Sequence, residues 1–414
     1  MGAPGPDAAR VTFHPLEIRH DRGEWIVGQS GNGQVIAVPE VGLSAIRLLM
    51  AGHTIEQTRR RLLAEAGRDI DVAAFIKGLA ALGFVASMAG RHFPRPPVHE
   101  SLTGLRPHHV RWTLSPVLHT VVLAAPLVGL ATLVLRKRSL PSWGDLFWSE
   151  YGTVNLLLQS FIAWCLIGLH ELAHLVTARA AGASARVRLS TRLQFLVAQT
   201  EVSGMWLKSR RERLVVYLAG LALDGVVCSG CLLAMAFEVD SPLPAVVVMT
   251  LLISCANQAM IFMRTDLYFV MQDLSGCRNL YSDASAYIRW LAARLARRRV
   301  ADPLGRMRAS ERWFVRGYAA VAVVGTAVCV FVGLRLLLDV TLPMLLRSVA
   351  RLRDGADPLL RLDSLLTVGI LIGLQALWAH LWWRRHGHRI RVIKRLVWGC
   401  TAGRRKEARA ETDK

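Results

Sequence analysis

Runs of apolar residues long enough to cross a bilayer constrain this chain more than any other feature. A spanning helix takes about 20 predominantly apolar residues. Six runs meet that need, at about 114–135, 153–179, 214–237, 243–264, 314–338 and 363–383, the fourth interrupted by Asn257 and Gln258. Of 414 residues 53% are hydrophobic, yet 51 Lys and Arg against 30 Asp and Glu leave a net charge of +21. Together these exclude a wholly soluble enzyme and a disordered basic protein. Basic residues flanking spans are what membrane topology demands, so no nucleic-acid partner is needed to explain the charge. The expected fold class is mostly α: a polytopic helical membrane protein of about six spans with a small N-terminal α+β, winged-helix-like domain.

Loop charges set the expected orientation. The linker 89–113, the loop 180–213, the stretch 264–316 and the tail from Arg384 are rich in Arg and Lys, whereas 238–242 carries only Glu238 and Asp240. This places both termini in the cytoplasm; the expected location is a bacterial plasma membrane. Arg136-Lys137-Arg138 runs against the pattern. The first residues lack the apolar core of a signal peptide. The seven cysteines are odd in number and show no repeated compact spacing, so a disulfide framework is not expected. Cys228 and Cys231 form a C-x-x-C without a second pair, which reads as packing and not as a zinc site.

The polar N-terminal part divides into a flexible leader, 1–13, a small domain, 14–88, and the proline-containing linker, 89–113. Leu16–Ile18, Trp25–Val27 and Val35–Val38 read as strands, with turns at Asp21-Arg22-Gly23 and Gly31-Asn32-Gly33. Three helices follow: about Glu40 to Met50, one opened by a Thr54/Gln57 capping box, and one with Val72, Phe75, Ile76, Leu79 and Leu82 at helical spacing that stops at Gly83. Phe84-Val85 returns as a strand. A membrane-embedded domain, 114–385, and a basic cytoplasmic tail, 386–414, complete the chain. The tail is expected to sit against anionic headgroups of the lipid bilayer.

The second span contains His170-Glu171-Leu172-Ala173-His174. Histidines four apart share a helical face, so both imidazoles reach one Zn2+, and Glu171 stands beside the first ligand to take a proton from water. Ionisable groups inside a span are costly and usually functional. A catalytic zinc site needs a third protein ligand. Asp224 and Asp266 are the two candidates, and depth in the bilayer alone does not separate them.

An H-E-x-x-H in one span with an acidic ligand in a polar break of a later span resembles the site-2 protease family of intramembrane zinc peptidases. Arg264-Thr265-Asp266-Leu267-Tyr268, preceded by Asn257, resembles that family's aspartate segment, with Leu267 where glycine is usual and without the proline of the break. The resemblance implies His170, His174 and Asp266 as ligands of one Zn2+ per chain, Glu171 as the catalytic base, and Asn257 as a donor to the reaction intermediate. It also implies that the alternating segment Ala185 to Met205 is a strand pair near the cleft, offering an edge to an extended substrate.

Residues 14–88 resemble the PqqD-like fold, the recognition element that binds leader peptides of ribosomally made, modified peptides. Pro15-Leu16, Val38-Pro39-Glu40 and Leu79 to Val85 carry the likeness. It implies that a precursor peptide adds as a strand beside Gln34, Val35, Ile36 and Val38, against a wall from Val72 to Leu82. The joint expectation is a membrane zinc metalloendopeptidase that removes such a leader, as in a daptide-type maturation peptidase, working with peptide-modifying enzymes or an exporter. Two alternatives stay open: a non-catalytic membrane scaffold for peptide maturation or export, and a regulated intramembrane protease of a membrane-tethered regulator.

Overall fold

The structure is a computed structural model that describes residues 10–21, 23–29, 34–67, 69–95, 100–192, 195–277, 279–305, 307–353 and 357–412. Most of the expected leader, the Gly31-Asn32-Gly33 turn, Arg22 and the linker prolines Pro96 and Pro97 lie outside the described residues.

The N-terminal part runs β1 (Val11–Phe13), β2 (Leu16–Asp21), β3 (Glu24–Gln29), β4 (Val35–Val38), α1 (Glu40–Met50), α2 (Ile55–Ala66), α3 (Val72–Ala81), β5 (Val85–Met88) and β6 (Arg91–His92). Strands β2, β3 and β4 form one antiparallel sheet in that order, with Ile18 opposite Val27 and Val27 opposite Ile36. A second sheet has the order β1-β5-β6. Alternation turns Val27 and Val38 inward, where they meet Leu43, Ile46 and Leu49 of α1 and Val72, Ile76 and Leu79 of α3. Each such fully buried side chain stabilises the domain by about 1.5–3 kcal/mol. Helices α2 and α3 start where the sequence supplies side-chain caps. Thr54 and Gln57 form the expected capping box, and Asp71 accepts from the Ala74 amide at 2.8 Å. Gly83, at φ +81°, makes the left-handed step that turns α3 into β5.

The remainder is mainly helical. Its elements are α4 (Pro107–Val110), α5 (Pro116–Leu135), α6 (Gly152–Ala180), β7 (Ser184–Arg192), β8 (Phe195–Ser203), α7 (Arg210–Ala236), α8 (Leu243–Gln258), α9 (Asp266–Ser275), α10 (Leu280–Leu295), α11 (Ala309–Leu336), α12 (Leu342–Arg353) and α13 (Pro358–Thr412). Among the described residues, 5 helical segments are long and apolar enough to cross a membrane: Pro116–Leu135, Gly152–Ala180, Arg210–Ala236, Ala309–Arg353 and Pro358–Arg384. The expected fourth run, 243–264, does not join them. Its helix α8 stops after 16 residues at Gln258, and a short 3-10 turn, Ile261–Met263, separates it from α9. Arg264 at the end of that turn is left-handed, at φ +60°, which no continuous helix accommodates. The backbone of α13 also continues past the expected end of the last run to Thr412.

Two compact units divide the chain. The first comprises Met1–Pro141, Ala163–Ser190 and Val197–Ala322, and therefore holds the N-terminal sheets, α5, the later part of α6, and α7 to α10. Here α5 crosses α7 closely: a Cβ at Gly129 would lie 3.0 Å from the Ser229 backbone, and Ser229 Oγ donates to the Ala125 carbonyl at 2.6 Å. The dissenting basic run follows α5, where Arg138 pairs with Glu238 and Arg136 lies 4.6 Å over the Phe237 ring. The β2-β3-β4 sheet docks on the 3-10 turn Met205–Leu207 before α7. Arg19 donates to the Leu207 carbonyl at 3.2 Å, and the Leu207 side chain fills the space above Gly28 that a Cβ would occupy. The linker is tied down as well. Arg179 pairs with Glu100 at 2.7 Å, and the Ser101 amide donates to the Ala185 carbonyl of β7 at 3.0 Å.

The second unit comprises Ser142–Ile162, Thr191–Leu196 and Val323–Lys414. Its anchor is the buried Asp363 carboxylate, which accepts from the Gly152 and Thr153 amides at 3.0 and 2.9 Å. A helix's first amides have no partner within the helix, so this carboxylate on α13 caps the start of α6.

Candidate metal centre

Helix α6 presents His170 and His174 one turn apart, each only 5% exposed. They are held from behind by α7, through a stripe at every fourth residue: Val216, Gly220 and Asp224. His170 Nδ1–H donates to Asp224 Oδ2 at 2.8 Å, and His174 Nδ1–H donates to the Val216 carbonyl at 2.7 Å. Between these two partners α7 must pass very close to the His170 ring. A Cβ at Gly220 would lie 2.3 Å from His170 Nε2, so only glycine fits.

With both Nδ1 atoms donating, the Nε2 atoms of the two rings, in their neutral form, carry lone pairs. These point at each other's vicinity, 3.1 Å apart, and Asp266 Oδ2 joins them at 2.9 Å from His170 and 3.1 Å from His174. Three acceptors do not gather this closely without a proton or a cation among them. A tetrahedral Zn2+ with bonds of about 2.0–2.1 Å holds its ligand atoms about 3.3–3.4 Å apart. The observed triangle lies within a few tenths of an ångström of that, and the two-imidazole, one-carboxylate set is one that zinc takes. His170, His174 and Asp266 therefore form a group that could hold a metal ion.

Asp266 reaches this point because α8 ends early. Thr265 Oγ1 donates to the Gln258 carbonyl at 2.7 Å, satisfying one of the carbonyls the broken helix leaves open. The Asp266 amide donates to Gln258 Oε1 at 3.0 Å. That bond fixes the Gln258 amide, so its NH2 group faces the imidazoles, with Nε2 3.3 Å from His170 Nε2. The donor at the break is thus Gln258; Asn257, the residue expected in that role, has its side chain exposed. Asp224, the competing third ligand, stands behind His170 on the Nδ1 side. Carboxylates there fix the tautomer and orientation of a metal-binding histidine and raise its basicity.

Glu171 follows His170 on α6 and is half-buried. Its backbone carbonyl accepts from Thr200 Oγ1 of β8 at 3.1 Å, which sets the β7-β8 ribbon beside the motif. The ribbon falls where the alternation at Ala185 to Met205 predicts a strand pair, and on its other side β7 bonds to Ser101 of the linker.

Of the other residues expected to bind peptide, Val35, Ile36 and Val38 lie on β4, the outer strand of its sheet, and Gln34 just precedes it. Gln34 is exposed and Val35 and Ile36 are half-buried, but the Val38 side chain is 4% exposed and belongs to the core. Val38 contributes backbone to that edge, and its side chain packs inward. Likewise Val72, Ile76 and Leu79 face the core, while Phe75 of α3 is half-buried and Leu82, just after the helix, is exposed. No family model, curated protein or solved structure matches the chain. Its chemistry is therefore read from these side chains themselves.

Proposed function

We propose that the chain is a membrane-embedded zinc metalloendopeptidase that cleaves a precursor peptide captured by its N-terminal domain. The observation that carries this reading is the meeting of His170 Nε2, His174 Nε2 and Asp266 Oδ2 within 3.1 Å of one another. When bound, Zn2+ supplies a Lewis acid that polarises a carbonyl and brings the pKa of water down to about 7. Glu171 takes the proton of the attacking water at its carboxylate and returns it to the leaving amine nitrogen. Asp224 and the Val216 carbonyl hold the imidazoles in the tautomer that leaves Nε2 open. The Gln258 NH2, pre-oriented by the Asp266 amide, is a donor for the charge that develops on the scissile carbonyl oxygen.

Substrate capture follows from the two strand edges. An extended segment adds to a sheet edge through main-chain hydrogen bonds. The open side of β4 suits the leader, and β8, tied to the Glu171 carbonyl, suits the segment to be cut. Joining capture and cleavage in one chain makes the second step intramolecular and raises the local substrate concentration. The excess of Arg and Lys in the loop 180–213 and the tail supports a centre that opens toward the cytoplasmic side of a bacterial plasma membrane, where a ribosomally made precursor is available.

Glu171→Gln tests the reading. It replaces the proton acceptor with an amide of the same shape. Full zinc content with loss of precursor cleavage is expected; cleavage at the parental rate would remove the peptidase assignment.

A further inference from the structure

The Arg213 guanidinium, 1% exposed, lies at the junction of three parts of the first unit. It enters through the first turn of α7, fixed there by the Ser209/Glu212 capping box. Its Nε and one terminal nitrogen make a two-pronged pair with Asp273 of α9, at 2.7 and 2.8 Å, and Asp273 is itself 2% exposed. The other terminal nitrogen donates to the Lys208 carbonyl at 3.1 Å and lies 3.8 Å from Asp21, at the β2-β3 turn of the N-terminal sheet. The Trp206 ring covers the guanidinium at 5.1 Å. Nothing in the proposed peptide hydrolysis uses this buried cluster.

Its placement gives it a different task. Asp273 and Asp266 are seven residues apart on one short helix, and seven residues bring a helix back to within about 20° of the same face. Whatever fixes Asp273 therefore fixes the rotation of Asp266. A planar fork engaging both carboxylate oxygens sets that rotation far better than apolar packing, because its geometry is directional. The same guanidinium is faced by Asp21, and the neighbouring Leu207 carries the rest of the sheet's docking contact.

We propose that Arg213 is a positioning residue for the metal centre, holding Asp266 in ligand geometry through Asp273 and tying that geometry to the docked N-terminal sheet through Asp21. The claim rests on the metal-centre reading and is independent of peptide hydrolysis.

The test is Zn2+ affinity of the detergent-solubilised full chain, by competition with a chromophoric chelator, with the visible absorption of bound Co2+ as a second readout. Arg213→Ala takes the two-pronged partner from a buried carboxylate and threatens the fold itself. The decisive variant is therefore Arg213→Met with Asp273→Leu, which removes both charges and keeps apolar volume, a replacement that buried pairs often tolerate. A folded double variant with at least tenfold weaker Zn2+ binding and an altered Co2+ spectrum is expected. Affinity within twofold of the parent and an unchanged spectrum would overturn the proposal. Asp21→Asn should weaken Zn2+ binding several-fold, and an unchanged affinity would overturn the link to the sheet. A parent chain that binds Zn2+ but cleaves nothing removes the peptidase reading alone; one that binds no Zn2+ overturns both.

Discussion

Replacing Gly220 with alanine separates the metal centre from the stability of the helix that backs it. The added methyl group would sit 2.3 Å from His170 Nε2 and 2.5 Å from Cδ2 and Cε1, where carbon contacts normally need about 3.5–4.0 Å. The ring must move by more than an ångström. That breaks the 2.8 Å bond to Asp224 and takes Nε2 out of the triangle with His174 and Asp266. Loss of an orienting partner alone costs about 10–100-fold in metal affinity, and here the ligand moves too, so at least ~100-fold is expected, or about 2.8 kcal/mol. The effect on the metal-free protein is smaller. Alanine in a helix interior is favoured over glycine by about 1 kcal/mol, set against about 1–3 kcal/mol for overpacking. The metal-free melting temperature should therefore shift by only a few degrees while Zn2+ binding collapses. Competition titration beside thermal melting of the stripped protein measures both. Parental Zn2+ affinity in Gly220→Ala would refute the geometry on which the centre depends.

The remaining predictions concern the other groups around this centre and the linker. Asp266→Ala should purify without stoichiometric zinc, whereas Asp224→Asn should keep it and bind about 10–100-fold more weakly; equal losses in metal analysis would put Asp224 among the ligands. Gln258→Leu should retain zinc but lower kcat by about 10²–10³-fold, and an unchanged kcat would take the amide out of the reaction. Burial pushes the Glu100 carboxyl up, but hydrogen bonds from Arg179 and Ser184 and the charge of Arg179 outweigh it and hold the group below its ordinary value of 4.5. A carboxyl lowered in the folded state stabilises above its unfolded value and loses that contribution as pH falls through its folded value. Melting curves in increasingly acid buffer should therefore show a steeper loss below pH 4.5 for the parent than for Glu100→Gln, and identical profiles would exclude this contribution.

Local signals read well in the sequence wherever the cause was itself local. The Thr54/Gln57 box, the left-handed Gly83 and the alternation of β2, β3 and β4 are written in adjacent residues, and these elements form where they are expected. Strand β1 was not legible, because only its pairing with β5, far along the chain, makes three residues a strand. The run 243–264 misled for a related reason. Its composition is mainly apolar on both sides of Asn257 and Gln258, yet Thr265 and Asp266 bond to Gln258 and the helix does not continue. The H-E-x-x-H motif stood out because polar groups are rare in such a segment. Gln258 did not, since an amide at a helix end usually does no more than cap it. Of the stripe Val216, Gly220 and Asp224, the last two could have been found, a small residue four before a carboxylate on one face of an apolar helix, whereas Val216 acts through a backbone carbonyl that leaves no mark in the sequence.

The ligands come from places far apart in the order of synthesis. After His174 is made, a further 92 residues must follow before Asp266 exists, and Asp266 then has to be brought back by the break at Gln258. A nascent chain thus carries a complete histidine pair long before it can assemble the centre. The group that could hold a metal is complete only once Asp266, carried by the turn between α8 and α9, meets the histidines of α6, so a peptidase of the proposed kind would stay inactive until that part of the chain has been made.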